Sequence, residues 1–160
     1  DIYQEEKKEN LSNTFETLLG HGIIPVVNEN DSVSHTEIES EDKLFSDNDV
    51  LSAVVAVLCK ADLLVIMSDI DGFFDRDPRL YKNARLIEQI DVIDESTYQL
   101  AGGAGSRRGT GGMRKKLQAA ELATSQGIDT IVTNGGLPEL LYDIVEGRKV
   151  GTLFTANHRW

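Results

Sequence analysis

Residues 46–72 read SDNDVLSAVVAVLCKADLLVIMSDIDG, and two kinds of buried element meet inside them. From Asp47 or Asn48, each a good N-cap, an all-round apolar run extends to about Lys60, the pattern of a helix buried on most of its faces. LLVIMS, residues 63–68, is too short for such a helix and suits a buried strand. It empties into DIDGFFDRDPR, residues 69–79, which is rich in turn chemistry. A strand that is apolar throughout, instead of alternating, is expected in a parallel sheet covered on both faces.

The same reading extends outward in both directions. Upstream, Leu11, Phe15, Leu18 and Leu19 recur at helical spacing, and Gly20 and Gly22 end that helix. IIPVV, residues 23–27, reads as a further buried strand. The polar NENDSVS and the acidic HTEIESEDKLFSDND, residues 28–49, are expected to be loop with one short hairpin at most. Downstream, RLIEQI (85–90) is a candidate strand and VIDESTYQLAGG (92–103) a helix ending at glycine. A second long helix follows, with Met113, Leu117, Ala120 and Ala123 on its apolar face and Gly127 as its C-cap. DTIVTNG (129–135) is another strand, PELLYDIVEG (138–147) a helix with Pro138 at its start, and VGTLF (150–154) a last strand.

Composition bounds what such a sheet can serve. The 160 residues suit one domain, and a hydrophobic fraction of 40% is ordinary for a globular chain. A formal net charge of -11 opposes binding to nucleic acid or to an anionic membrane surface. No apolar run reaches spanning length, and the N-terminus does not resemble a signal peptide, so a cytoplasmic location is expected. The one cysteine, Cys59, lies within an apolar run and reads as a buried thiol. The sequence opens without Met and inside a helical pattern, as expected of a segment of a longer protein.

Ligands of an open parallel sheet gather at the carboxyl ends of its strands. Three polar clusters follow strands here: Asn28 to Asp31, Ser68 to Gly72, and Asn134 to Gly136. A fourth, Ser46 to Asp49, begins the apolar helix. Each alone is an ordinary turn, but acidic clusters repeated on one rim point to a site. The opposite charge comes from GTGGMRKKLQAAELA, residues 109–123, and the bases just before it. Arg107, Arg108, Arg114, Lys115 and Lys116 lie within ten residues, in a chain with 16 Lys plus Arg. Glycines allow close backbone approach, and a helix start offers unpaired N–H groups and a favourable dipole to an anion. Bases at a helix start oppose that dipole unless an anion offsets them, so phosphate is the expected ligand. Neither the Walker spacing nor G-x-G-x-x-G is present. Phosphate-directed bases facing Asp and Asn suit phosphoryl transfer, in which cations neutralise the moving group and carboxylates hold Mg²⁺ or orient the cations. His21, His35 and His158 have no partner spacing, and no Cys/His cluster of metal type exists.

With these residues in view, the chain resembles the amino-acid kinase family, and within it the members that act on glutamate. IPVVNENDSVS (24–34), SDNDVLSAVVAVL (46–58), KADLLVIMSDIDGFFDRDPR (60–79), GTGGMRKKLQAAELA, GIDTIVTNG (127–135) and VGTLF occur in the family's order. The resemblance implies a three-layer αβα sandwich around a mainly parallel sheet, and transfer of the ATP γ-phosphate to the side-chain carboxylate of L-glutamate as the first step towards proline. It implies Asp31 and Asn48 as glutamate-binding residues, and Asp49 as the aspartate that organises catalytic lysines. Ser68, Asp69, Thr110, Gly111, Gly112, Met113, Arg114, Lys115 and Lys116 match nucleotide contacts, with Lys116 stabilising the transferring phosphoryl group. ATP and Mg²⁺ are the implied cofactors, with no residue assigned as a metal ligand. Proline is the implied feedback inhibitor and a homo-oligomer the implied assembly.

Departures from the family pattern set a further expectation. Its first strand with an essential lysine, its glycine-rich loop and its Ser-Gly loop have no counterpart in residues 1–160, and Ser46 stands where glycine is usual. The chain therefore reads as the C-terminal, nucleotide-binding portion of one kinase domain. Another member of the family, a non-catalytic amino-acid or nucleotide-binding module, and an assembly role remain open at this level. Residues 1–160 alone are expected to release no ADP from ATP with L-glutamate and hydroxylamine; robust turnover would contradict this.

Overall fold

The computed structural model describes residues 2–28, 48–102 and 110–156, with the main chain alone at Ile2, Tyr3, Gly102, Thr110 and Gly111. The first helix, α1 (Ile2–Gly20), ends as its glycines require. Gly22 adopts φ 72°, Gly22 N–H donates to the Leu19 carbonyl at 3.0 Å and Ile23 N–H to the Leu18 carbonyl at 2.9 Å. Phe15 is the residue of α1 that is buried, and the Ser12 hydroxyl donates to the Leu58 carbonyl across to the next helix.

The strand expected at IIPVV does not form. Residues 23–28 are irregular, with Ile24 85% and Val26 93% exposed. An apolar run becomes a strand only through a hydrogen-bonded neighbour, and the four-stranded sheet supplies none for this segment among the described residues. NENDSVS from Glu29 onward, and the acidic stretch as far as Asp47, lie outside the described residues, as does the connection at 103–109.

The remaining elements follow the pattern of the sequence closely. Helix α2 (Asn48–Leu58) buries Val50, Leu51, Ala53 and Ala56. It closes on Lys60 at φ 53°, with Ala61 N–H bonded to the Ala56 carbonyl, and leads directly into β1 (Leu63–Ser68). RLIEQI contributes only β2 (Gln89–Ile90) and a single bridge between Phe74 and Leu86. Helices α3 (Glu95–Gly102) and α4 (Thr110–Ser125) precede β3 (Asp129–Asn134), α5 (Leu140–Val145) and β4 (Thr152–Phe154). Gly127 at φ 82° caps α4 as expected, with Ile128 N–H on the Ala123 carbonyl.

The sheet order is β1-β3-β4-β2. β1 runs parallel to β3 and β2 parallel to β4, while β3 and β4 are antiparallel. The sheet is thus mainly parallel with one reversal. After α5 the chain re-enters the sheet beside β3 in the opposite sense, pairing Val132 with Thr152 and Thr130 with Phe154. Leu117, Ala119, Ala120 and Ala123 of α4 are fully buried with Ala53 of α2, against Ile66, Val132 and Phe154 of the sheet. Facing alanines let the two helices approach closely.

Entry into β4 is fixed by two features. The buried Thr152 hydroxyl accepts from Phe73 N–H at 2.8 Å and donates to the Ile87 carbonyl at 2.6 Å, so one side chain ties together the long excursion between β1 and β2. Gly151 sits at φ +61°, and a Cβ there would lie 2.1 Å from the Val132 carbonyl oxygen. Gly147, at φ +79°, has nothing within 4 Å of such a Cβ. Alanine at Gly147 is expected to cost only the left-handed strain, about 1–2 kcal/mol. Gly151→Ala adds a backbone clash and should exceed about 3 kcal/mol by denaturant unfolding; equal losses would show that the Val132 backbone yields.

Candidate active site

Two helix–turn–strand units build one edge of the molecule. In each, a helix (α2 or α4) is joined to its strand (β1 or β3) by a turn of a few residues, so helix and strand run in opposite directions. The two strands are parallel and in register from Leu63↔Asp129 to Ser68↔Asn134. The first turn of α2 and the second turn of the longer α4 consequently meet near the carboxyl ends of the strands, the edge at which open sheets take ligands.

The charged residues at this edge converge. Asp49 lies in the first turn of α2, where a carboxylate complements the helix dipole. Lys116, 67 positions away, donates from Nζ to Asp49 Oδ2 at 3.1 Å. The two side chains are 16% and 21% exposed, a partly desolvated pair. Helical periodicity explains why Lys116, and neither neighbouring base, takes this place. Met113 and Lys116 are half-buried and Leu117 and Ala120 fully buried, so Lys116 borders the stripe that faces α2. Gly112, Arg114 and Lys115 fall on the exposed side.

At the strand ends, two short loops are laced together. Gly135 N–H donates to the Ser68 carbonyl at 2.7 Å, and Asn134 Nδ2 to Asp71 Oδ1 at 2.9 Å. Asn134 Oδ1 in turn accepts from Gly136 N–H at 2.8 Å. Ser68 Oγ donates to Asp69 Oδ1 at 3.2 Å and accepts from Ile70 N–H. A Cβ at Gly135 would stand 3.2 Å from that of Met67, so the glycine is what lets the β3 loop lie against β1. The Asn134 cluster was visible as a polar run after a strand, yet its role in holding Asp71 depends on strand register, which local sequence does not encode.

Of the residues singled out from the sequence, Asp49 and Lys116 are in contact, and Ser68 and Asp69 lie at the end of β1. Asn48 opens α2 and is exposed. Thr110, Gly111 and Gly112 form the first turn of α4, with open space beside Gly112. Asp31 lies outside the described residues. Arg114 is carried over the Tyr98 ring, its Cζ 5.2 Å from the centroid, and Tyr98 donates its hydroxyl proton to Glu121. Burial and the Glu121 carboxylate push the Tyr98 phenol above its ordinary range. Tyr98 is not among the residues the sequence singles out, because its helical spacing in α3 carries no chemical signal. Cys59 is half-buried rather than fully buried, and burial raises its thiol pKa.

Among the described residues no group of three or more His, Cys, Asp or Glu side chains is placed to hold a metal ion, and no helix is long and apolar enough to cross a membrane. An open depression between α1 and the C-terminal end of α2, lined by Glu5, Glu9, Ser12, Glu16, Leu58 and Lys60, lies at the end of α2 remote from Asp49. It takes no part in the constellation above.

Comparison with known proteins bears on this edge. The family model described as "Amino acid kinase family" matches residues 1–134. The chain is 52% identical over 157 residues to the glutamate 5-kinase of Clostridium perfringens, covering 98% of this chain and 58% of that protein. It is 50% identical over 153 residues to the glutamate 5-kinase of Enterococcus faecalis, covering 96% and 56%. The chain thus spans little more than half the length of these relatives. The crystal structure of UMP kinase from Ureaplasma parvum superposes with a TM-score of 0.58 at 18% identity, covering 90% of this chain and 52% of that one, which speaks to the fold.

The contact between α2 and α4 makes a measurable claim. In a double-mutant cycle with Asp49→Asn and Lys116→Met, unfolding free energies should show a coupling of about 1 kcal/mol. Additive losses would mean that the pair contributes no mutual stabilisation.

Proposed function

The chain belongs to the amino acid kinase family, and we propose that it carries the nucleotide-binding side of a glutamate 5-kinase, residues 1–160 forming the C-terminal portion of a single kinase domain. The carrying observation is the Lys116–Asp49 pair between the second turn of α4 and the first turn of α2. It puts a partly desolvated cation, held by a carboxylate, one turn beyond a glycine-rich helix start.

In this reading the β- and γ-phosphates of ATP lie against the first turn of α4. Thr110, Gly111, Gly112 and Met113 offer main-chain N–H groups and clearance, and Arg114 and Lys115 add positive potential. Ser68 and Asp69 contact the nucleotide from the end of β1. Asn48 and Asp31 hold L-glutamate on the other side of the transferring group. A glutamate side-chain oxygen attacks the γ-phosphorus, the bond to the bridging oxygen of ADP breaks, and γ-glutamyl phosphate leaves for proline synthesis. Lys116 neutralises charge on the phosphoryl oxygens as they part from both neighbours, and Asp49 keeps its Nζ oriented at no entropic cost during the step. Mg²⁺ held mainly by the nucleotide phosphates would neutralise part of their charge, a role that needs no all-protein cage of carboxylates. Proline competing at the glutamate side, a homo-oligomeric assembly and a cytoplasmic location complete the proposal. Neither a nucleic acid nor a membrane is assigned as partner, in keeping with the net charge of -11.

The intact enzyme should convert ATP and L-glutamate to ADP and an acyl phosphate that hydroxylamine traps as the hydroxamate; a preference for another acceptor in a substrate panel would overturn the assignment. There, Lys116→Ala should lower kcat by about 100-fold or more with a smaller change in KM. An unchanged kcat with a raised KM for glutamate would remove Lys116 from the chemistry. Gly112→Ala separates fold from function. It should raise stability by about 0.5 kcal/mol, because the site is helical and open, while weakening ATP binding. A stabilised variant with undiminished ATP affinity would mean that phosphate does not approach this turn.

A further inference from the structure

Arg114 and Lys116 are two residues apart on α4 and meet different surroundings. Lys116 is turned to Asp49. Arg114 is held over the ring of Tyr98 on α3, with Cζ 5.2 Å from the centroid. The same tyrosine donates to Glu121 Oε2 at 2.5 Å. Arg114 and Glu121 are seven residues apart, about two turns on one face of α4. The Tyr98 ring therefore lies along that face, with the guanidinium over its π-surface and its hydroxyl fixed on the carboxylate. Tyr98 itself is held by the start of α3, where Asp94 accepts from Thr97 N–H at 3.1 Å and Thr97 Oγ1 accepts from Asp94 N–H at 3.2 Å.

The chemistry of a stacked guanidinium gives this arrangement its meaning. An arginine paired with a carboxylate spends its in-plane N–H donors on that partner. One held over an aromatic ring is attracted by the π-system without spending its donors on a carboxylate, which leaves them for another acceptor. Such a group, four residues into a helix whose start is glycine-rich and exposed, is matched to a phosphate oxygen. The ring itself, carried on α3, supplies this platform; the hydroxyl bond to Glu121 is additional to it.

We propose that Tyr98 is a positioning residue that pre-orients Arg114 towards the outer phosphates of the bound nucleotide, through its ring and not its hydroxyl. The proposal rests on the nucleotide reading of α4 given above. It makes α3 part of the specificity for a polyphosphate, distinct from the nucleoside. Tyr98 touches no substrate and works through Arg114 alone.

Calorimetric titration of the full chain with ATP and with adenosine tests it. Tyr98→Leu should weaken ATP roughly two- to fivefold and leave adenosine unchanged. Tyr98→Phe, which keeps the ring, should retain the ATP affinity. Arg114→Gln should weaken ATP to the same degree, and the double variant with Tyr98→Leu should show no further loss. Parallel losses for ATP and adenosine would make Tyr98 a packing residue only and overturn the proposal. So would full ATP affinity in Tyr98→Leu, or in Arg114→Gln should the leucine variant fail to fold. A wild-type chain that binds adenosine but gains nothing from the phosphates would overturn the phosphate reading of α4 itself, a result distinguishable from failure of Tyr98 alone.

Discussion

The in-register parallel pairing of β1 with β3 is the constraint from which the rest of the site follows. Because Leu63 stands opposite Asp129 and Ser68 opposite Asn134, the two strands end level with each other. Each strand is entered from a helix by a short turn, so the first turn of α2 is brought level with the second turn of α4. Two contacts between distant stretches of chain follow: Asp49 with Lys116, and the Ser68–Asp71 loop with the Asn134–Gly136 loop. A slip of the ladder by one position would invert the faces of β1 and separate Asn134 from Asp71. The site is in this sense a property of register before it is a property of any one side chain.

Charge is distributed accordingly. The molecule carries a net charge of -11, yet it concentrates cations at the start of one helix where the dipole is least hospitable to them. The structure offsets that conflict in two ways: an aspartate from a neighbouring helix for Lys116, and an aromatic face for Arg114. Both solutions keep the charge in place while committing few donors.

Much of this was legible in the sequence, and the reason differs from element to element. The helix at Asn48–Leu58, the strands LLVIMS and DTIVTN, and the cap at Gly127 each announce themselves by local pattern, since burial on all sides, β-branching and a left-handed glycine leave direct traces. Failures occur where the outcome depends on a neighbour. IIPVV has the composition of a strand but no pairing partner among the described residues, and RLIEQI keeps only two residues in the ladder because Thr152 and the Phe74–Leu86 bridge hold the remainder in the excursion around it. The reversed direction of β4 is likewise a matter of pairing that local sequence does not encode. At the site, the types of residue were apparent, and the distinction between Lys116 and its two basic neighbours was encoded in helical phase. Tyr98 was not legible, because its significance arises only when α3 is laid against α4.

The alanines between α2 and α4 have a further consequence. Ala53 on one helix and Ala119, Ala120 and Ala123 on the other are fully buried, and the ion pair of Asp49 and Lys116 spans the same two helices. The separation of Asp49 from Lys116 is therefore set at one remove, by how closely these small side chains let the helices approach, much as a shim sets the gap of a machine part. A larger side chain between the helices would widen that gap without touching a charged group. The interior of this helix pair is thus constrained by the ion pair above it as well as by its own volume.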